Sequence, residues 1–192
     1  MSDAPVVDDR TALLVVDLQA VTLSNARTLP ADELIAAVSS LLAAFRGWGL
    51  PVWHAVSTGT PGGRTSYSTG SRVWDDAQAA VVPHVAPLEG EPIVRRAAWS
   101  AFAGTDLARR LRDAGVETLV IVGLATPFGI ESTARSAYDL GFSVIVPSDA
   151  VAGPDPVAHE ATLARTIPLL GRTTTVAALL AAPTVSTPEE NP

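Results

Sequence analysis

The sequence predicts an α/β fold of three layers (α/β/α), in which helices cover both faces of a mainly parallel sheet of about six strands. Short, continuous apolar runs alternate along the chain with segments in which apolar residues recur at helical spacing. Strands that alternate with helices favour a parallel sheet with right-handed crossovers. The 192 residues show no internal repeat and no dividing linker, and this length suits one domain with a sizeable core.

The predicted strands are apolar runs without polar alternation, a pattern typical of strands that are buried on both faces of a sheet. The clearest run, Thr11 to Val16, ends at Asp17. A last, short strand or turn is expected after residue 172, before a terminal helix. The predicted strands cover residues 11–16, 51–56, 92–95, 118–122 and 143–146.

Helices are predicted where apolar residues recur at helical spacing between ordinary boundary signals. Pro30 begins the first helix, Thr105 is the expected N-cap of the second, and Gly141 closes the third. The predicted helices cover residues 30–48, 105–115, 126–140, 156–169 and the end of 173–182. The long stretch 57–70 is rich in Gly, Ser and Thr, and long loops of this kind often serve as functional lids.

The single domain is expected to cover residues 11–182, with an N-terminal extension over 1–10 and a flexible, Pro-rich tail over 183–192. The first ten residues have no positive region followed by an apolar stretch, and no apolar run approaches 18 residues. These features predict a cytoplasmic protein that does not enter a membrane.

The amino-acid composition excludes several kinds of functional site and partner. The chain has no cysteine, which excludes disulfides, zinc thiolate sites and thiol nucleophiles. Its net charge is −7 without a concentrated basic face, so nucleic acid is not an expected partner. The three histidines form no pair at metal-ligand spacing, so we expect no metal and no cofactor. Only 17% of residues are charged, which favours a homodimer or homotetramer that buries weakly charged surface.

Asp17 is the first candidate catalytic residue. An aspartate after a strand ordinarily caps a turn or helix, but Asp17 directly follows a continuous apolar run. Burial would raise the pKa of its carboxyl group, which suits a general acid or base.

Arg95 and Arg96 end the predicted third strand, and either could be an ordinary solvated side chain. Alternatively, one of them faces Asp17 across the carboxyl edge of the sheet. An arginine cannot transfer a proton near neutral pH, but its guanidinium can hold a carboxylate on two prongs. A guanidinium so close would lower the pKa of Asp17. The sequence leaves open which arginine faces the site.

Residues 119–142 combine a buried strand, a turn at 123–127 and a helix. In α/β sheets, ligands bind at the turn that follows a strand's carboxyl end. The helix amino terminus there offers backbone N–H groups and a dipole that favour an anion. Thr126, Ser132 and Thr133 are the nearest hydroxyls, but no histidine in this segment could activate them, so they are expected to cap or pack.

Three spaced segments resemble the isochorismatase-like hydrolases. Residues 11–19 resemble the family's first-strand motif, with its catalytic aspartate at Asp17. Residues 91–102 resemble the segment of the catalytic lysine, which falls at Arg96. Residues 123–137 resemble the pattern Gly-x-Ala-Thr-x-x-Cys-x-x-x-Thr-Ala-Arg-x-Ala, with Gly129 at the cysteine. Residues 149–163 also fit, so the resemblance covers nearly the whole chain.

The resemblance implies a six-stranded, mainly parallel sheet and an active site at or near an oligomer interface. It also implies a non-proline cis peptide between Leu124 and Ala125, with the amides of Ala125 and Gly129 in the oxyanion position. The candidate catalytic residues are Asp17, Arg96 and Gly129. The candidate substrate-binding residues are Gln19, Ala125, Thr126, Trp99 and Phe128.

Thiol-dependent amidase chemistry is excluded, because Gly129 replaces the cysteine. True isochorismatases also resemble this chain in having glycine there, and they hydrolyse a vinyl ether whose carbon is protonated by the aspartate. The resemblance therefore implies a cysteine-independent hydrolase of an isochorismate-like or other small carboxylated metabolite. Asp17 would be its acid or base, and Arg96 would anchor the substrate anion or Asp17.

Two alternatives remain open from the sequence. The chain could be a family member without catalysis that serves as a binding or assembly protein, because both the cysteine and the lysine are replaced. It could also be an amidase with a Ser or Thr nucleophile, an alternative that rests only on the nearby hydroxyls.

Overall fold

The computed structural model describes residues 7–66 and 70–181. Over these residues the chain forms one parallel sheet of seven strands, in the order β3-β2-β1-β4-β5-β7, with the short β6 beside the end of β4. This topology confirms the predicted α/β fold; β6, two residues long, accounts for the strand beyond the six expected. The strands are β1 (Thr11–Val16), β2 (Val52–Ser57), β3 (Ile93–Arg96), β4 (Thr118–Leu124), β5 (Ser143–Pro147), β6 (Val151–Ala152) and β7 (Arg172–Thr174).

The helices follow the predicted pattern, with one addition, the short α2. They are α1 (Ala31–Gly47), α2 (Asp76–Ala79), α3 (Leu107–Asp113), α4 (Glu131–Asp139), α5 (Pro156–Ala161), α6 (Ile167–Leu170) and α7 (Val176–Ala181). Two π-helical turns, Thr126–Ile130 and Thr162–Thr166, precede α4 and join α5 to α6. The N-cap position of α3 is Asp106, one residue after the predicted Thr105, but the Thr105 hydroxyl accepts from the Leu107 amide at 3.4 Å and donates to the Ala101 carbonyl at 2.8 Å.

Strand β1 lies in the middle of the sheet, and its residues are buried on both faces. Leu13 and Val15 pack with the apolar face of α1, whereas Leu14 and Val16 pack with the apolar residues of α3 and α4. This alternation follows from the two-residue period of a strand and produces the three predicted layers. The carboxyl ends of β1, β2, β3 and β4 consequently meet at one edge of the sheet.

Part of the predicted N-terminal extension packs against the domain. Val7 is fully buried in the core on the α1 side, and the Thr11 hydroxyl donates to the Asp8 carboxylate at 2.9 Å. Residues 7–10 therefore pack against the domain, while residues 1–6 and the predicted tail over 183–192 lie outside the described residues. Across the described ranges, no helix has the length and apolar character needed to cross a membrane.

A charged cluster of His54, Glu91 and Arg46 joins β2, the loop before β3, and α1. Arg46 donates to both Glu91 oxygens at 2.7 and 2.9 Å, and His54 Nε2 lies 3.1 Å from Glu91 Oε2. Burial opposes ionisation of Glu91, but hydrogen bonds from Arg46, the Leu88 amide and His54 lower its pKa to about 2. Burial lowers the pKa of His54, although Glu91 opposes that shift.

This cluster predicts a loss of stability in acid. The folded pKa of Glu91 lies below its ordinary value of 4.5, so the unfolded chain binds more protons. Its contribution is present above pH 4.5 and disappears as the pH falls towards 2. His54 acts in the same direction below its ordinary value of 6.5. Glu91→Gln should flatten the fall in unfolding free energy measured by urea titration between about pH 5 and about pH 3. Glu89→Gln, at an exposed neighbour, is the control, and equal slopes for both variants would contradict the prediction.

Candidate active site

Asp17 lies directly after β1, at the carboxyl edge of the sheet. Its backbone has a φ of +52°, in the left-handed region that aspartate adopts more readily than most residues. The Asp17 amide donates to the Ala55 carbonyl at 2.9 Å, and the Thr22 hydroxyl donates to the Asp17 carbonyl. These bonds fix the turn that carries the carboxylate.

Arg96, at the end of β3, faces Asp17, whereas Arg95 is exposed. Arg96 Nη1 donates to Asp17 Oδ1 at 2.6 Å and Nη2 donates to Oδ2 at 2.8 Å. Nη2 also donates to the Trp99 carbonyl at 3.2 Å. Arg96, and not Arg95, thus faces the site, and its guanidinium binds the Asp17 carboxylate through two hydrogen bonds.

Burial raises the pKa of the Asp17 carboxyl above its ordinary value, and the hydrogen bonds and charge of Arg96 oppose this rise without reversing it. Both predicted effects are therefore present, and burial outweighs the lowering by the guanidinium. The reason is that only 12% of the Asp17 side chain is exposed, and removing a carboxylate from water strongly disfavours its charged form. Asp17 consequently holds a proton more readily than an exposed aspartate.

Gly129 lies in the π-helical turn Thr126–Ile130, beside Asp17. A Cβ atom at this position would lie 2.8 Å from the Leu124 carbonyl oxygen and 3.4 Å from Asp17 Oδ2. The peptide bond between Leu124 and Ala125 is cis, as the family resemblance implies. The turn is therefore built around a residue without a side chain, in the place where many relatives were expected to carry a cysteine.

Replacing Gly129 with alanine or cysteine should lower the unfolding free energy by roughly 1–3 kcal/mol, the usual cost of overpacking a filled site. The atom in the way is a backbone oxygen, so relief requires the turn to move. Chemical denaturation of both variants measures the effect. Gly47→Ala is the matched control, because its Cβ would meet nothing within 4 Å. Variants at residue 129 as stable as the wild type would contradict this account.

A cavity of about 120 Å³ opens beside Asp17. It brings together five predicted site residues: Asp17, Trp99, Ala125, Phe128 and Gly129. The rings of Trp99 and Phe128 lie 4.9 Å apart and are 57% and 38% exposed. We call this pair the aromatic wall. The loop that carries Trp99 is fixed to α4, because the Ala101 amide donates to the Thr133 hydroxyl at 3.0 Å.

Gln19 does not line this cavity. Its side-chain amide donates to the carbonyls of Ser57 at 2.9 Å and Ala79 at 2.8 Å, and its oxygen accepts from the Ser57 amide at 2.7 Å. The residue is fully buried. Gln19 therefore holds the end of β2 to the turn after β1, and this geometry does not support the predicted substrate contact.

Thr126 is also fully buried and does not line the cavity. Its hydroxyl lies 2.8 Å from His159 Nδ1, so it links the π-helical turn to α5 instead of meeting a substrate. This contact supplies the histidine that the segment itself lacks, but in a place removed from the cavity. Among the described hydroxyls that line the cavity, none is hydrogen-bonded to a histidine, which leaves the Ser/Thr nucleophile without structural support.

Several cavity residues were not predicted. They are Thr22, Asn25, Ser57, Gly59, Thr60, Trp74 and Ala98. Most of them belong to the turn after β1 or to the long loop that follows β2, and the Gly-rich composition of that loop was the available signal. The Ser57 hydroxyl accepts from Trp74 Nε1 at 3.1 Å and donates to the Gly59 carbonyl at 2.8 Å, so the loop closes over the end of β2.

Larger pockets lie elsewhere on the protein, but they are not candidate active sites. One of about 450 Å³ lies where β4 and β5 begin, at the opposite edge of the sheet, and one of about 530 Å³ lies between β7 and α5. Neither contains a buried carboxylate with a cationic partner. Within the described ranges, no group of three or more His, Asp or Glu residues is arranged to hold a metal ion.

Comparison with known proteins identifies the family of this chain. Residues 11–178 match the isochorismatase domain. The chain belongs to the isochorismatase family. An uncharacterised isochorismatase family protein, YecD of Escherichia coli O157:H7, is 33% identical over 181 residues, which cover 88% of this chain and 94% of YecD. A streptothricin hydrolase of Streptomyces noursei is 35% identical over 140 residues, 72% of this chain and 53% of that enzyme.

Solved structures of the isochorismatase family agree with the fold. A family protein from Burkholderia thailandensis superposes with a TM-score of 0.85 at 30% identity, covering 93% of this chain and 98% of that one. An N-carbamoylsarcosine amidase from Thermoplasma acidophilum gives a TM-score of 0.69 at 25% identity, covering 87% and 96%. The isochorismatase-like resemblance and the parallel α/β architecture are thereby confirmed.

Proposed function

We propose that this isochorismatase family member is a hydrolase of a small metabolite that forms no covalent enzyme intermediate and uses Asp17 to transfer the proton. One observation carries the proposal: the buried carboxyl group of Asp17, held in place by Arg96, opens into the cavity beside Gly129, which has no side chain. Gly129 offers no nucleophile, and the chain has no cysteine elsewhere. The similarity to a streptothricin hydrolase supports hydrolysis as the reaction class.

Asp17 can act in either of two ways. As a general acid, its protonated form donates a proton to the substrate, and water captures the cation that results, as in vinyl-ether hydrolysis. As a general base, its ionised form takes a proton from water while that water attacks a carbonyl carbon. Negative charge would then develop near the backbone amides of Ala125 and Gly129. Arg96 stays protonated in both cases and keeps the carboxylate in position.

The structure gives less support to the prediction that the substrate carries a carboxylate. That expectation relied on a cation free to bind an anion, but both terminal nitrogens of Arg96 are hydrogen-bonded to Asp17. The remaining argument is the pair of backbone amides at Ala125 and Gly129. We therefore retain a small metabolite as the substrate without assigning it a carboxylate.

The cavity limits how much of the substrate is enclosed. Its volume of about 120 Å³ is smaller than the roughly 300–1,000 Å³ of pockets that enclose a drug-sized ligand. The reacting group would enter beside Asp17, and the rest of the molecule would lie against the aromatic wall.

The direct test is turnover of a panel of small esters, amides and vinyl ethers, with isochorismate among them. Product release from at least one compound is the expected result, and protein quenched during turnover should keep its unmodified intact mass. A covalent adduct would replace this mechanism with a nucleophilic one. Absence of turnover across the panel by folded protein would overturn the hydrolase and favour the alternative below.

The alternative is a catalytically altered member that serves as a binding or assembly protein. The two-pronged contact between Arg96 and Asp17 favours it, because the same contact would serve a purely structural ion pair. We also propose a homodimer or homotetramer, supported by the low charged fraction and by exposed apolar side chains such as Val157 and Leu169, which are 78% and 77% exposed. Sedimentation equilibrium measures the oligomeric state.

A further inference from the structure

We infer that the cavity beside Asp17 selects an uncharged reacting group with an N–H or O–H donor, and discriminates against carboxylates. This inference rests on the proposed function only in placing the substrate at Asp17. It names the class of group that the site accepts, and ligand binding tests it independently of turnover.

The charge on Asp17 is balanced by that of Arg96. Asp17 is the one formally charged residue among the described residues that line the cavity. Arg96 lies behind it, with a side chain that is 1% exposed. The ion pair that they form has no net charge, so the cavity presents no uncompensated cation to an incoming carboxylate.

Several side-chain hydrogen-bond donors at the cavity already bond to other groups of the protein. The Arg96 terminal nitrogens donate to Asp17, and the Thr22 hydroxyl donates to the Asp17 carbonyl. Trp74 donates to the Ser57 hydroxyl, which itself donates to the Gly59 carbonyl. The donors that are left, such as the Asn25 side-chain amide and the backbone amides of Ala125 and Gly129, are neutral. A carboxylate would therefore lose its hydration without gaining a cationic partner, and such a loss is costly in a buried site.

The Asp17 carboxylate can still accept hydrogen bonds from a ligand. Each carboxylate oxygen has about two acceptor positions; Arg96 occupies one on each oxygen, and a backbone hydrogen bond from Ser57 takes one more. The remaining positions accept a hydrogen bond from an N–H or O–H group. A carboxamide can supply that donor without charge, whereas a carboxylate brings a second negative charge towards Asp17.

Benzamide and benzoate provide a matched pair, because they share one shape and differ in charge and donors, and their ring can pack on the aromatic wall. Titration followed by protein-observed NMR should show benzamide binding at least about tenfold more tightly than benzoate, a difference of about 1.4 kcal/mol. Benzoate binding equal to or tighter than benzamide, or no binding of benzamide, would overturn the inference.

Two variants sharpen the test. Asp17→Asn leaves the Arg96 charge uncompensated, so the preference should shift about tenfold towards benzoate. Trp99→Ala should weaken both ligands and leave their ratio unchanged, since it removes an uncharged surface. An unchanged ratio in Asp17→Asn, or unchanged affinities in Trp99→Ala, would count against the inference. A benzamide preference without turnover of any substrate would leave this inference standing and overturn the proposed hydrolase.

Discussion

Exchange of Asp17 for asparagine is expected to lower kcat by roughly 10²–10⁴-fold, the usual contribution of a general acid or base. Asparagine keeps the shape of the side chain and tolerates the left-handed backbone at this position, but it cannot exchange a proton with the substrate. Turnover should therefore be lost, and the variant should also lose stability, because the buried Arg96 guanidinium no longer has its partner. Steady-state kinetics with whichever substrate the panel identifies, together with circular dichroism, provides the measurement.

Asp139→Asn is the matched control for that experiment, because Asp139 is exposed at the end of α4 and distant from the cavity in the fold. Its kcat should equal that of the wild type. If Asp17→Asn kept more than about a tenth of the wild-type kcat, Asp17 could not be the proton-transferring group.

Replacing Arg96 with methionine should lower the unfolding free energy at neutral pH by roughly 3–5 kcal/mol, the cost of leaving a buried charge without its partner. The Asp17 carboxylate would stay buried after losing both hydrogen bonds. Methionine preserves most of the side-chain volume, so the loss reports the charge rather than a cavity. Denaturant titration gives the value, and Arg95→Met, on the exposed neighbour, is the control.

The loss in Arg96→Met should shrink as the pH falls. Without the guanidinium, only the backbone hydrogen bond from Ser57 opposes burial, so the folded pKa of Asp17 rises further above the ordinary value of 3.8. A group whose pKa is raised on folding stabilises the folded chain when protonated and loses that contribution as pH rises through the folded pKa. The difference between wild type and Arg96→Met is therefore expected to be largest at neutral pH and smaller in acid. A difference independent of pH would show that the effect comes from packing.

The fold could be predicted from the alternation of apolar runs and helical spacing, because a buried parallel strand such as β1 needs apolar residues on both faces. Asp17 could be predicted as a site residue for a related reason, since the residue after such a strand lies at the ligand-binding edge. The two-residue period of β3 allowed either Arg95 or Arg96 to face the site, and only the pairing with β2 decides between them.

Other features depend on contacts that the sequence does not reveal. Gln19 lies two residues from Asp17, yet its side-chain amide is hydrogen-bonded to the backbone of Ser57 and does not line the cavity. Thr126 meets a histidine 33 residues away, a separation that no local pattern records. The direction of the Asp17 pKa shift is a balance between burial and Arg96, and that balance requires their positions.

The π-helical turn is another feature that could not be predicted from the sequence. The Ile130 amide donates to the Ala125 carbonyl at 3.2 Å, across five residues where an α-helix would span four. The added residue changes where Gly129 lies relative to Asp17. Helical periodicity predicts the helix that follows but cannot count an extra residue inside its first turn.

The crowding at Gly129 also limits which substitutions this site accepts. A side chain there requires the Leu124 carbonyl to move, and a thiol would enter beside an aspartate already held by Arg96. Exchange of Arg96 for lysine would in turn give up one of the two prongs on Asp17. Either step taken alone weakens the present structure before any new chemistry is gained. A cysteine nucleophile at this position would thus require coordinated substitutions, because Gly129 and Arg96 would have to change together.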